Sequence, residues 1–216
     1  MFGGKIRDRF PIIEQYCRTG AVLDLGCVDS RIDRGSAADR IAKPNLLFKR
    51  ISEINPDVVG LDIDADGIKL LQEMGFKAVC GNAETVDLQR KFDVIVAGEI
   101  IEHLENPGLF LRNMLRHLSG DGVLIISTPN PFYSGFTWKI WRYGRPMIHE
   151  EHMGWQDPTT MDQLLRRTGF EPFERYWIQP PRPLHKVWKT LFRPYFCSSF
   201  MTLARPAKTS VVPSKI

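Results

Sequence analysis

The chain has 216 residues, of which 43% are hydrophobic and 25% charged, with a formal net charge of +4. Such a length suits one domain that buries about 70% of its unfolded surface, and the composition argues against a disordered or fibrous protein. No stretch approaches the roughly 18–20 apolar residues of a membrane-spanning helix, and MFGGKIRDRFPIIEQY has no apolar core of a secretory signal, so a cytoplasmic protein is expected.

Over the first 130 residues short β-branched runs alternate with helical stretches, the pattern of a parallel sheet built from βα units. Strands are expected at Ala21–Leu25, Asp57–Asp62, Lys77–Cys80, Phe92–Ala97 and Gly122–Ser127. These runs are continuously apolar, as in strands covered by helices on both faces. Between them, Asp64–Met74 reads as a helix with Ile68, Leu71 and Met74 on one stripe and Gly75 as its stop. Pro107–Leu118 reads as another, capped by Asn106. After Asn130 the character changes. Residues 131–157 form an aromatic and basic insertion, expected to lie as a lid over the C-terminal edge of the sheet. A helix follows at Pro158–Thr168 behind Asp157, and then strands at Phe170–Ile178 and Ser198–Arg205. Residues 180–197 are a basic amphipathic connection, and 207–216 an expected disordered tail, so one domain spans 1–206.

Five loops follow the strands in order. VLDLGCVDS ends a buried strand at Asp24 and turns on Gly26-Cys27, which lets backbone approach a ligand at the sheet edge, with an acid suited to an ammonium or sulfonium charge. VVGLDID ends at Asp62, a carboxylate able to accept hydrogen bonds from both hydroxyls of a ribose, whereas Asp64 reads better as a helix cap. In VCGNAE, Asn82 and the Ala83 backbone offer the pairing edge that an adenine would use, or form a simple Gly-Asn turn. FDVIVAGEIIEHLENP and GVLIISTPNP end the next two strands at the same edge.

As a set, and in this order, VLDLGC, VVGLDID, GNAE, FDVIVAGEIIEHLENP and GVLIISTPNP resemble the class I S-adenosylmethionine (SAM)-dependent methyltransferases, nearest the branch of ubiquinone-biosynthesis-type and small bacterial O-methyltransferases. The resemblance covers about residues 20–130. It implies a Rossmann-like α/β fold, a mostly parallel seven-stranded sheet with helices on both faces and an antiparallel last strand. It also implies SAM as cofactor, with Asp24, Gly26 and the Cys27 backbone around its methionine part, Asp62 on the ribose, Ile63 beside adenine, Asn82 and Ala83 on the adenine edge, and Glu99 near the sulfonium. In such proteins His103 is often structural. One departure stands out: Val28 and Ser30 occupy the second and third positions of the usual GxGxG loop. A valine held at positive φ there would cost about 1–2 kcal/mol.

No Cys/His/Asp spacing predicts a metal site, and the four scattered cysteines read as free thiols. For an O-methyl transfer the richest source of a general base is IHEEHMGWQDP, so His152, or failing it His149, is the expected base, against the reading of a solvated turn. From Pro131 onward there are 13 Lys+Arg against 6 Asp+Glu. The aromatic-basic stretch Phe132–Arg145 and the helical spacing of Leu184, Val187, Trp188, Leu191 and Phe192 suit either core cover or an anionic membrane surface. The expected acceptor is a small or lipid-linked molecule, with no specific nucleic-acid contact. An RNA or protein methyltransferase and a catalytically silent scaffold are the competing functions.

Overall fold

The computed structural model describes residues 2–29, 35–146, 148–179 and 194–208. Position Ser30, the amphipathic stretch 180–193 and the tail from 209 lie outside the described residues. In chain order the elements are β1 (Phe2–Ile6), α1 (Phe10–Cys17), β2 (Val22–Leu25), α2 (Ala37–Ile41), α3 (Leu47–Ile54), β3 (Val58–Asp62), α4 (Ala65–Glu73), β4 (Ala78–Cys80), β5 (Phe92–Gly98), α5 (Pro107–His117), β6 (Leu118–Pro129), α6 (Ser134–Tyr143), α7 (Pro158–Arg167), β7 (Phe170–Ile178) and β8 (Ser199–Pro206). A single 3-10 turn, Ile101–His103, follows β5.

One sheet in the order β1-β7-β8-β6-β5-β2-β3-β4 holds these strands. β8 runs antiparallel to both β6 and β7, and all other pairings are parallel. The sheet therefore has eight strands rather than seven. The additional one, β1, is an edge strand paired to β7 with a register shift between Phe2 and Lys5. Its sequence FGGKI carries two glycines and no alternation, so backbone pairing with β7 defines it, not local propensity.

Both faces are covered, as the continuous apolar strands require. Leu23, Leu25, Ile95, Ala97, Leu124 and Ile126 point to one core, closed by Phe110, Leu111 and Met114 of α5 and Met161 and Leu165 of α7. Their neighbours Val22, Val94, Val96, Val123 and Ile125 point to the other, closed by Ile13 of α1, Phe48 and Ile51 of α3 and Ile68 and Leu71 of α4. The helix starts are chemically marked. Asp64 accepts the Gly67 N–H at 2.9 Å, Asn106 accepts the Leu109 N–H at 2.9 Å, and Asp157 and Thr160 close a capping box. Asp64 is thus the cap it was expected to be, and Arg40 of α2 pairs with it. No helix among the described residues is long and apolar enough to cross a membrane.

Candidate functional site

The chain leaves β2 toward β3 and β4 on one side and toward β5 and β6 on the other, so the strand order reverses between β2 and β5. Open α/β sheets bind ligands in the crevice beyond the strand ends at such a point. A cleft of ≈ 410 Å³ lies there, lined by the loops after β2, β3, β4 and β5. Gly26, Asp62, Ile63, Asn82, Ala83 and Glu99 all line it. Six of the eight positions singled out in sequence for a cofactor are therefore brought together.

The other two are buried and do not line the cleft. Cys27 is buried, its N–H is turned to the Leu61 carbonyl at 3.4 Å, and a Cβ on Gly60 would stand 2.7 Å from its Sγ. Its side chain is a core contact, and burial pushes its thiol well above the ordinary range. Asp24 is also buried, with Oδ1 making no hydrogen bond among the described residues. Burial raises its carboxyl to about 8; the Arg9 guanidinium pulls it down, and the Asp62 carboxylate pushes it further up. Leaving a buried carboxyl oxygen unpaired is costly.

Asp62 is held by backbone hydrogen bonds. Its Oδ2 accepts the Val28 N–H at 2.9 Å and its Oδ1 the Asp64 N–H at 3.0 Å, which fixes the carboxylate at the strand end. Those bonds explain the unusual loop. Positive φ falls at Gly26 and Asp29, while Val28 keeps an ordinary backbone. The expected strain at Val28 does not occur. Its side chain is fully buried against α4, where a Cβ on Gly67 would come within 2.3 Å of Val28 Cγ1. A valine in the loop is matched by a glycine in the helix.

Further along, Asn82 Oδ1 accepts the Glu84 N–H at 2.8 Å, and Glu84 Oε1 accepts the Asn106 N–H at 2.6 Å. Asn113 of α5 donates to the Ala83 and Val86 carbonyls at 3.1 and 2.9 Å, so α5 holds the Asn82–Val86 segment from behind. Glu99 has a left-handed backbone, φ 56°, with its N–H on the Ser127 carbonyl at 2.8 Å. Arg9 reaches the same point, donating to Ser127 Oγ at 2.7 Å and lying 3.4 Å from Glu99 Oε1. Sequence reading missed Arg9, which precedes α1 and carries no motif of its own.

The insertion brings the histidines in. His149 and His152 sit in the loop before α7, whose Met153 and Gly154 N–H groups bond the Glu102 carbonyl at 2.7 and 3.2 Å. The His152 ring is 4.8 Å from His103 and the His149 ring 6.2 Å from it. His103 and Glu151 line the cleft, and His149 and His152 are not part of its lining. The donor atoms of Glu102, His103 and His152 all lie within 4.8 Å of one another, a set able to hold a metal ion that the sequence spacing did not reveal. Glu102 is buried, and its Oε2 accepts the Thr128 hydroxyl at 2.9 Å.

Comparison with known proteins matches residues 10–174 to a family described as a methyltransferase domain. A ubiquinone biosynthesis O-methyltransferase of Bradyrhizobium diazoefficiens is 27% identical over 125 residues, 55% of this chain and 44% of that protein. One of the same name from Rickettsia canadensis is 30% identical over 161 residues, 69% of this chain and 62% of that protein. The chain spans about half the length of the curated relatives it matches. Among solved structures, a SAM-dependent methyltransferase from Archaeoglobus fulgidus shares the fold at a TM-score of 0.64, with 17% identity and 91% of each chain covered.

Proposed function

Because the chain belongs to the class I SAM-dependent methyltransferases, we propose that it carries a methyl group from SAM to an oxygen of a small-molecule or lipid-linked acceptor. The observation that carries this reading is the row of strand-end loops holding the Asp62 carboxylate, Ile63, Asn82 and Ala83 along one cleft. In it, Asp62 holds the ribose, Ile63 flanks adenine, and Asn82 with the Ala83 backbone reads the adenine edge. Asp24 takes the ammonium of the methionine part, Gly26 lets the backbone come close, and Glu99, braced by Arg9, borders the reacting end. Cys27 supports this floor from the core instead of touching the cofactor. Bound SAM supplies an activated methyl on a sulfonium that leaves as a neutral thioether.

The chain's own task is to align the acceptor and remove its proton. The His103–His149–His152 cluster beside the cleft supports that role, with His152, or failing it His149, taking the hydroxyl proton as oxygen acquires the methyl. The oxygen assignment is supported by the names of the relatives. A silent scaffold loses its main argument, since Val28 carries no strain that would spoil the loop. The setting this reading implies is a cytoplasmic enzyme, held peripherally at the inner face of the membrane when the acceptor is lipid-linked.

The test is tritiated-methyl transfer from SAM into cell extract, resolved into lipid, saccharide, protein and nucleic-acid fractions. Label is expected in lipid or small-molecule fractions; label confined to protein or RNA rejects the acceptor class. With the acceptor in hand, His152→Ala is expected to lower turnover by about 10²–10⁴-fold while SAM affinity holds. If His152→Ala and His149→Ala both keep near wild-type turnover, the base is wrongly assigned. Turnover that survives a chelator belongs to the histidine base, and turnover abolished by it to a metal on Glu102, His103 and His152.

A further inference from the structure

Helix α6 differs from the other six α-helices described: none of its ten residues is buried. Trp141 is 81% exposed and Trp138 56%, and Phe132, Ile140 and Tyr143 are exposed as well. Trp138 and Trp141 are three residues apart and share one face. Contiguous apolar surface of this kind marks an interaction site in soluble proteins. The charge along this segment has one sign. Between Pro131 and His149 there are Lys139, Arg142 and Arg145, and no acidic residue.

The helix is exposed but rooted. Tyr133 just before it is buried, Phe136 packs edge-on to Tyr133 at 5.6 Å, and Phe136 lies 5.2 Å from Trp155. Trp155 belongs to the loop that carries His149, His152 and the cleft-lining Glu151. The exposed aromatics therefore project from a helix packed against the loop whose Glu151 lines the cleft.

We propose that α6 is an interfacial anchor that docks on an anionic lipid surface, with Trp138 and Trp141 at headgroup depth and Lys139, Arg142 and Arg145 against lipid phosphates. Tryptophan is the side chain best suited to that boundary, because its ring is apolar while its N–H still needs a partner. The cations add attraction that salt screens. A second copy of the chain fits less well, since a two-fold contact would set the same cations against each other. The proposal deepens the reading of a lipid-linked acceptor and rests on it for its purpose: docking would bring the cleft's acceptor side to the plane where such a molecule lies.

The experiment is co-sedimentation of the full chain with phosphatidylcholine vesicles, with and without phosphatidylglycerol, at low and high salt. Binding is expected only with the anionic lipid, and weaker at high salt. Trp138→Ala/Trp141→Ala and Lys139→Gln/Arg142→Gln/Arg145→Gln should each lower partitioning on the order of tenfold or more, with SAM affinity by calorimetry unchanged. Wild-type protein that fails to bind anionic vesicles, or variants that partition as wild type does, would overturn the proposal. So would variants that change only the oligomeric state in light scattering, which would make the face a contact between copies. If vesicle binding stands and no SAM binds, the methyl-transfer reading fails and the docking face survives.

Discussion

At the scale of single residues, Asp24 is the group whose chemistry is most exposed to test. Its carboxyl is raised to about 8, chiefly by burial, against an ordinary value of 3.8. A raised carboxyl binds more protons in the folded chain than in the unfolded one. Its contribution to stability is present below the ordinary value and is lost as pH climbs through about 8. A cofactor ammonium placed on Oδ1 favours the ionised form, so binding must expel the proton. Affinity for SAM should then rise with pH below about 8, and calorimetry near neutrality in buffers of different ionisation heat should register proton release. Asp24→Asn should bind more weakly and show neither effect. A wild-type affinity that is flat over the same range would mean that Asp24 never meets the ammonium.

At the scale of elements, the loop after β2 and the helix after β3 have to be read together. Val28 fills the space that Gly67 leaves in the first turn of α4. Ordinarily a helical Gly→Ala change gains up to about 1 kcal/mol. Here Gly67→Ala should instead cost about 1–3 kcal/mol in urea unfolding, from overpacking against Val28. Val28→Ala in the same chain should return part of that loss, a coupling between touching residues. Additive effects would show that loop and helix do not press on each other. Such pairings also mark what the sequence could and could not reveal. Strands β2 to β6 were legible because parallel strands under helices leave continuous apolar runs, and α4, α5 and α7 because Asp64, Asn106 and Asp157 cap them. β1 and α1 were not. Two glycines hide the strand, and α1 starts at Arg9 without a side-chain cap, held by the burial of Ile13 and Cys17. The GxGxG departure looked like strain because its relief lies 39 residues away in Gly67.

At the scale of the whole molecule, the cleft is a property of strand order. The ends of β2, β3, β4 and β5 fall at one edge because parallel strands share a direction, which made the six cleft-lining positions legible from motif order alone. The meeting of His103 with His149 and His152 was not legible, because it depends on how a long insertion folds back onto Glu102, and no periodicity encodes that. Since the cleft joins loops from separate elements, a ligand in it should stabilise the fold as a unit. S-adenosylhomocysteine at a hundred times its Kd should add about 2.7 kcal/mol by mass action. For a domain of this size that corresponds to a rise in Tm of roughly 5–10 °C in a thermal scan. Asp62→Ala, which removes the ribose partner and frees the Val28 and Asp64 N–H groups, should weaken the ligand by about 10–100-fold and so remove roughly half of the rise or more at the same concentration. A wild-type protein whose Tm does not move would mean that the folded chain does not hold the ligand, because any ligand bound by the folded state alone must shift its unfolding equilibrium.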